Sequence, residues 1–240
     1  MTARKRLDVT LVERGMVASR SQAESYIKLG KVKLNGRIIT KAGLMVSDEA
    51  KIELDQNQQY VSRAALKLES VAEKLSLDFR SKIVLDVGSS TGGFTDYALR
   101  HGAKKVIAVD VGTDQLHARL QGDRRIELHE KTDIRSFKTI ENPDIVLADI
   151  SFISLREVLP AIRTLSKPST RIVVMLKPQF EAGKAEINRG IVKNDTLRRK
   201  ILKDFEAWAK GHFVIVAKAD SGVAGAHGNL ERFYLLQIKN

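Results

Sequence analysis

Five apolar runs in the second half of the chain constrain its fold more than any other feature. IVLDVG (83–88), VIAVDV (106–111), IELHE (126–130), DIVLADI (144–150) and RIVVMLK (171–177) are, the third excepted, too continuous for half-exposed strands. Runs of this kind belong to strands buried on both faces, the condition of a parallel sheet covered by helices. Helix-length segments separate them. Before the first run, Ser62 is placed as N-cap of a helix through Ala64, Ala65, Leu68, Val71, Ala72 and Leu75. Ser154 with Glu157 opens another, and Leu197–Trp208 makes a third. FVIVAK (213–218) and RFYLLQI (232–238) follow each other without a helix, which predicts a terminal antiparallel pair. The expected class is α/β: an open, mostly parallel sheet with helices on both faces and an antiparallel last strand.

Ligands of such sheets sit beyond the carboxyl ends of the strands. The first run there delivers Asp86 and then Gly88-Ser89-Ser90-Thr91-Gly92-Gly93, with a helix opening at Phe94. The second ends in Asp110, the fourth in Asp149, the fifth in Lys177. The glycine run reads G-x-S-x-x-G, with Ser90 where a dinucleotide fingerprint needs glycine, and no G-K-[ST] follows. A nucleoside ligand without a diphosphate tolerates Ser90, and Asp110 suits two ribose hydroxyls; S-adenosylmethionine is such a ligand, and a dinucleotide is the alternative. Two further groups complete the set. Lys67 lies on the helix before the first strand, and Glu231 opens the last strand, whose reversed direction starts it at the edge where the parallel strands finish. Lys67, Asp149, Lys177 and Glu231 are therefore expected to converge. A free lysine holds its proton to about pH 10, but a second lysine nearby and partial burial both disfavour the charged form. One of the pair could then take a proton from a ribose 2′-hydroxyl, with the two carboxylates orienting the ammonium. Read alone, Lys67 could equally be a solvated helix lysine.

The first half differs in charge. The whole chain of 240 residues carries 41 Lys and Arg against 29 Asp and Glu, and residues 1–46 alone hold ten basic side chains against three acids. A short segment this basic reads as a binding module for an acidic partner. Leu7 and Leu11 share one helical face that Gly15 ends; Ser19 with Gln22 opens a second helix with Ala23, Tyr26 and Ile27 inward and Gly30 after it. Val32 and Leu34, Asn35-Gly36 and Ile38 give a hairpin, and Ile52 with Leu54 one more strand. The polar DQNQQ at 55–59 is the expected linker, dividing the chain into residues 1–59 and 60–240. With no cysteine, thiolate metal sites and cysteine nucleophiles are excluded. His101, His117, His129, His212 and His227 are scattered, so no metal site is expected. No uncharged apolar run nears the roughly 18 residues of a spanning helix, and the start shows no secretory signal, so a cytoplasmic protein without a membrane partner is expected.

Residues 6–46, RLDVTLVERGMVASRSQAESYIKLGKVKLNGRIITKAGLMV, resemble the S4 RNA-binding module. The resemblance implies RNA contacts at Arg4, Arg6, Arg20, Lys28, Lys31, Lys33, Arg37 and Lys41, in keeping with recognition of RNA through its phosphates and shape. Residues 60–240 are similar to the FtsJ-like ribose 2′-O-methyltransferases through YVSRAALKLE (60–69), VLDVGSSTGGFTDYAL (84–99), VIAVDVGTDQLHARL (106–120), DIVLADISFISL (144–155), MLKPQFEAG (175–183), RGIVK (189–193) and GNLERFYLL (228–236). The combination resembles the rRNA methyltransferases often labelled hemolysins. It implies a small S4-type domain, then a Rossmann-like methyltransferase sheet. It further implies a Lys-Asp-Lys-Glu tetrad at Lys67, Asp149, Lys177 and Glu231, and S-adenosylmethionine held by Asp86, Gly88, Ser90, Gly92, Gly93, Asp110 and Asp133. Ala64-Ala65 stand where that family commonly has glycines.

The glycine-punctuated segment from Pro178 to Asn194 reads as a mobile loop closing over cofactor or RNA, with Lys184 and Arg189 on phosphates, or else as a plain surface connection. Three function classes follow: a methyltransferase acting on structured ribosomal RNA or ribosomal subunits, an RNA-docking factor without chemistry, and the membrane-lysing protein that the hemolysin label suggests.

Overall fold

The computed structural model describes residues 4–54, 60–182, 192, 194–225 and 228–239. The basic half builds β1 (Arg4–Arg6), α1 (Leu7–Glu13), α2 (Arg20–Lys28), β2 (Val32–Leu34), β3 (Arg37–Ile39), β4 (Met45–Ser47) and β5 (Ile52–Leu54). The helix boundaries follow the sequence signals. Ser19 Oγ accepts from the Gln22 amide, and the Gln22 side chain returns a bond to Ala18 N, a capping box shifted by one residue. Asn35 and Gly36 both take positive φ, 49° and 79°, the pair of values that a two-residue hairpin turn demands. β2 lies between β3 and β5, antiparallel to each. The antiparallel pair β1–β4 has no counterpart in the sequence reading. Its first strand is Arg-Lys-Arg, exposed throughout, so neither alternation nor an apolar run announces it.

The second half contains α3 (Arg63–Ala72), β6 (Ile83–Val87), α4 (Gly93–Arg100), β7 (Lys105–Val109), β8 (Ile126–His129), β9 (Ile145–Ala148), α5 (Leu155–Thr164), β10 (Arg171–Leu176), α6 (Pro178–Glu181), α7 (Asp195–Ala209), β11 (Phe213–Asp220) and β12 (Arg232–Ile238). They form one seven-stranded sheet in the order β11-β12-β10-β9-β6-β7-β8. β12 is antiparallel to both its neighbours, whereas β6–β7, β6–β9, β7–β8 and β9–β10 are parallel. Strand order reverses between β6 and β9, which opens the crevice where such sheets bind ligands. Successive residues along each strand feed opposite cores. Val84, Val106, Leu147 and Phe233 pack with α3 and α4, while Leu85, Ile107, Val146 and Tyr234 pack with α5 and α7. The expected helices after β7 and β8 are missing: 110–125 and 130–144 run as turns. Positive φ at Asp114 and Gly122 interrupts the first stretch and at Lys131 the start of the second.

The two halves share one core. Leu7, Tyr26 and Val32 of the first belong to the same apolar cluster as Leu66, Val71 and Phe94 of the second. The seam lies between α2 and α3. The Tyr60 amide donates to the Tyr26 hydroxyl at 3.1 Å, Lys31 Nζ meets Glu69 Oε1 at 2.7 Å, and the same ammonium stands 5.5 Å over the Tyr60 ring.

Candidate active site

The first strand end is governed by glycine. At Gly88, φ is +78° and an added Cβ would lie 2.8 Å from the Asp149 carbonyl oxygen, so β6 and β9 approach closely here only without a side chain. Gly92 is the left-handed N-cap of α4, and a Cβ on Gly93 would overlap Ser62 Oγ at the cap of α3. The run thus locks α4 against α3 and leaves the Ser90 amide facing β7. That amide donates to Asp110 Oδ2 at 2.7 Å, and the Gly112 amide donates to Asp110 Oδ1 at 2.7 Å. Asp86 is fully buried. Its Oδ2 accepts from Thr95 Oγ at 2.7 Å, and its Oδ1 has no partner. Burial pushes the carboxyl up to about 7, with the nearby Asp149 charge adding to it against the Thr95 bond.

Beyond β9 and β10 the four groups expected to converge do so. Lys177 Nζ lies 2.6 Å from Asp149 Oδ1 and donates to Ser151 Oγ at 2.8 Å. Lys67 Nζ lies 2.6 Å from Glu231 Oε2. The pairing of Leu176 with Arg232 brings the start of β12 level with the end of β10. Glu231 is buried, and burial raises its carboxyl above the usual range; Lys67 lowers it, Asp149 raises it and Lys177 lowers it, so the other three charges all act on this carboxyl. Gly225 makes room for this carboxylate, because a Cβ there would overlap Glu231 Oε1.

Two cavities meet at this edge. The larger, about 530 Å³, runs from Gly88, Ser90 and Asp110 to Asp133 and Phe152. Asp133 is clasped by Arg135 at 2.6 Å, which holds its carboxyl below the usual range. The smaller, about 140 Å³, is lined by Ala64, Asp86, Asp149, Ser151 and Lys177. Gly88, Ser90, Asp149 and Ser151 line both, so a nucleoside-sized cleft opens beside the Lys177 amine. Of the two alanines in the place of glycines, Ala64 borders the smaller cavity and Ala65 is packed in the core.

Sequence reasoning missed three contributors. Gln115 folds over Gly112 and accepts from Ser90 Oγ at 3.0 Å, within the larger cavity. Phe152 is 91% exposed, holds a left-handed φ of 69°, and tilts against Phe180 at 5.2 Å between centroids. The Phe180 ring is 6.0 Å from Lys177 Nζ. One signal was available: each phenylalanine follows a tetrad residue, Asp149 or Lys177, by three positions. Glu181, the third contributor, ends α6 and accepts from Ser154 Oγ at 2.6 Å and Leu155 N at 2.7 Å, so the start of the segment expected to be mobile is tied to α5. Lys184 and Arg189 lie outside the described residues.

In the basic half, Arg4, Arg6, Arg20, Lys28, Lys33, Arg37 and Lys41 are exposed. Lys31 is instead engaged in the seam by Glu69. Among the described residues no group of three or more His, Cys, Asp or Glu side chains could hold a metal ion, and no helix is long and apolar enough to cross a membrane.

Two carboxylates could receive a methyl donor: Asp86, with its buried, unpartnered oxygen beside the smaller cavity, and Asp110 at the larger one. An ammonium would fit the first and a ribose diol the second. The model of the FtsJ-like methyltransferase family matches residues 60–238, and that of the S4 domain matches 5–52. The 16S/23S rRNA (cytidine-2′-O)-methyltransferase TlyA of Mycobacterium tuberculosis is 37% identical over 100% of this chain and 92% of its own. Hemolysin A of Brachyspira hyodysenteriae is 38% identical over 94% of this chain and 97% of its own. A solved structure described as a hemolysin from Streptococcus thermophilus superposes with a TM-score of 0.73 at 35% identity, covering 100% of this chain and 90% of that one.

Proposed function

We propose, for a chain that belongs to the FtsJ-like methyltransferase family and carries an S4 domain ahead of it, the transfer of a methyl group from S-adenosylmethionine to a ribose 2′-hydroxyl of structured ribosomal RNA. The observation that carries this reading is the ion pair Lys177–Asp149, whose carboxylate lines both cavities, with the buried pair Lys67–Glu231 beside it. Asp86, Gly88, Ser90, Gly92, Gly93, Asp110, Gln115 and Asp133 would hold the donor. When bound, it supplies a methyl group already activated on a sulfonium, so alignment of the acceptor is the main task left to the protein.

Lys177 borders the smaller cavity and, after giving up one ammonium proton to solvent, receives the 2′-hydroxyl proton on Nζ as the oxygen takes the methyl group. Asp149 and Ser151 fix the direction of that amine. Lys67 and Glu231 pair beside this group, and their buried charges cancel, so the acceptor oxygen meets the Lys177 amine without a net excess of charge. Phe152 and Phe180 offer an aromatic surface on which the base of an extruded nucleotide stacks, which brings its ribose into the cavity. The exposed cations of the S4 domain hold the surrounding RNA through its phosphates. Ribosomal substrates place this work in the cytoplasm.

Transfer of a labelled methyl group to purified ribosomal subunits tests the reading. Wild-type protein is expected to methylate a ribose, and Lys177→Ala to lose at least a hundredfold in rate while remaining folded. Absence of transfer to either subunit or to free ribosomal RNA overturns it.

A further inference from the structure

The S4 domain contains a buried acid that the chemistry above does not use. Asp8 is the second residue of α1 and is fully inaccessible. Its Oδ1 accepts from Arg6 Nε at 2.9 Å and from the Val9 amide at 3.0 Å. Its Oδ2 accepts from Arg6 Nη2 at 2.9 Å and Arg20 Nη2 at 3.1 Å. The two arginines come from different elements, β1 and α2, and their side chains are 46% and 56% exposed. Arg6 is further fixed by the β1–β4 pairing and by Thr10 Oγ donating to its carbonyl at 3.0 Å, and its guanidinium lies over Gly43, where a Cβ would come within 3.3 Å of Nη1.

Two guanidiniums this close repel each other unless an anion lies between them. Asp8 is that anion, and because it is buried it cannot serve the solvent or the RNA. It uses two donors of Arg6 and one of Arg20, so each guanidinium retains N–H groups on its exposed part. Those donors belong to rigid forks, matched in geometry to a phosphodiester, whose side-chain freedom has already been spent in folding.

Resting on the RNA-binding reading above, we propose that Asp8 is a positioning residue for nucleic acid: it holds Arg6 and Arg20 as one two-pronged clamp for the phosphates of the RNA backbone. The inference separates from general electrostatics by sign. Asp8→Asn makes the protein more basic by one charge, which for an unstructured basic surface strengthens RNA binding. Loss of the clamp weakens it.

The test is filter binding of deproteinised ribosomal RNA across a salt series, with wild type, Asp8→Asn, Arg6→Lys, the double variant Arg6→Gln/Arg20→Gln, and the triple variant adding Asp8→Asn. The expected result for Asp8→Asn is an affinity loss of about tenfold and a shallower salt dependence, by about one in the log–log slope. In the triple variant the Asp8 substitution adds nothing further. Arg6→Lys keeps the charge and the buried acid but loses the fork; its expected loss is similar, and it serves as the decisive variant should Asp8→Asn not fold. Unchanged or tighter binding by a folded Asp8→Asn, by Arg6→Lys in its place, or an undiminished Asp8→Asn effect in the triple variant, overturns the clamp and leaves the methyltransferase reading standing. Failure of wild-type protein itself to bind ribosomal RNA, free or within subunits, overturns both.

Discussion

Replacing Asp86 by asparagine isolates the cost of holding an ionised carboxylate in the middle of the sheet. In the folded protein the group titrates at about 7 against 3.8 for a free aspartate. At about 1.4 kcal/mol per decade of proton affinity, the ionised form costs on the order of 4 kcal/mol of stability once fully charged. The sign follows from proton counting. Between pH 4 and 7 the folded state binds more protons than the unfolded one, so stability falls as pH rises through that window; below it the cost is absent and above it complete. Asparagine does not titrate. Its oxygen takes over the Thr95 bond, and its amide falls where Oδ1 now lacks a partner, at a pH-independent cost of about 1–3 kcal/mol. Asp86→Asn should therefore be less stable than wild type at pH 4.5 and more stable at pH 8, with crossing curves.

Urea unfolding at fixed ionic strength from pH 4.5 to 8.5 reads this directly. Parallel curves for the two proteins would refute the reasoning, whatever their separation. Calorimetric titration with S-adenosylmethionine supplies the functional half: the variant should lose at least tenfold in affinity, because the oxygen offered to the donor's ammonium has become an amide. For wild type near pH 7 the binding heat should depend on the buffer's ionisation enthalpy, since an arriving cation favours ionised Asp86 and expels its remaining proton.

Other substitutions probe the tetrad, the aromatic pair and the seam. Lys67→Met leaves the Glu231 carboxylate buried without its counter-charge and should cost about 3–5 kcal/mol in denaturant unfolding, most of it recovered by adding Glu231→Gln. Phe152→Ala should leave stability within about 0.5 kcal/mol, since the ring is exposed, while kcat/KM on ribosomal subunits falls about tenfold. Lys31→Glu sets two carboxylates against each other beside Tyr60 and should lower both the unfolding midpoint and the methylation rate; adding Glu69→Lys should restore both.

What could be read before folding divides along physical lines. Strands β6, β7, β9 and β10 were legible because burial on both faces leaves near-continuous apolar runs, with Asp86 the one polar residue inside them. The convergence of Lys67, Asp149, Lys177 and Glu231 was legible because topology alone fixes which strand ends share an edge, and only the direction of β12 had to be inferred. Elements held by individual side-chain bonds were not legible. The pair β1–β4 consists of a basic triplet and a short strand, Gln115 reaches Ser90 across a loop whose course no periodicity encodes, and the turns after β7 and β8 depend on left-handed residues that are not all glycine. The expected RNA contact at Lys31 shows the same limit. Nothing in IKLGKVK distinguishes Lys31, engaged by Glu69, from Lys33, which stays exposed; only the docking of α2 on α3 separates them.

That docking joins the two binding tasks. α3 takes the S4 domain through Glu69 and the adjoining Tyr60, and it presents Lys67 to Glu231 from the same ten residues. Its first turn is closed by Gly93, whose Cβ would overlap the Ser62 cap, so the donor loop of β6 also bears on it. A helix fixed at three points cannot rotate to serve one contact without disturbing the others. In the proposed function, RNA on the basic half and a methyl donor on the sheet would thereby be referred to one rigid element, with the distance between clamp and amine set by the fold, not by the length of the chain that links the halves.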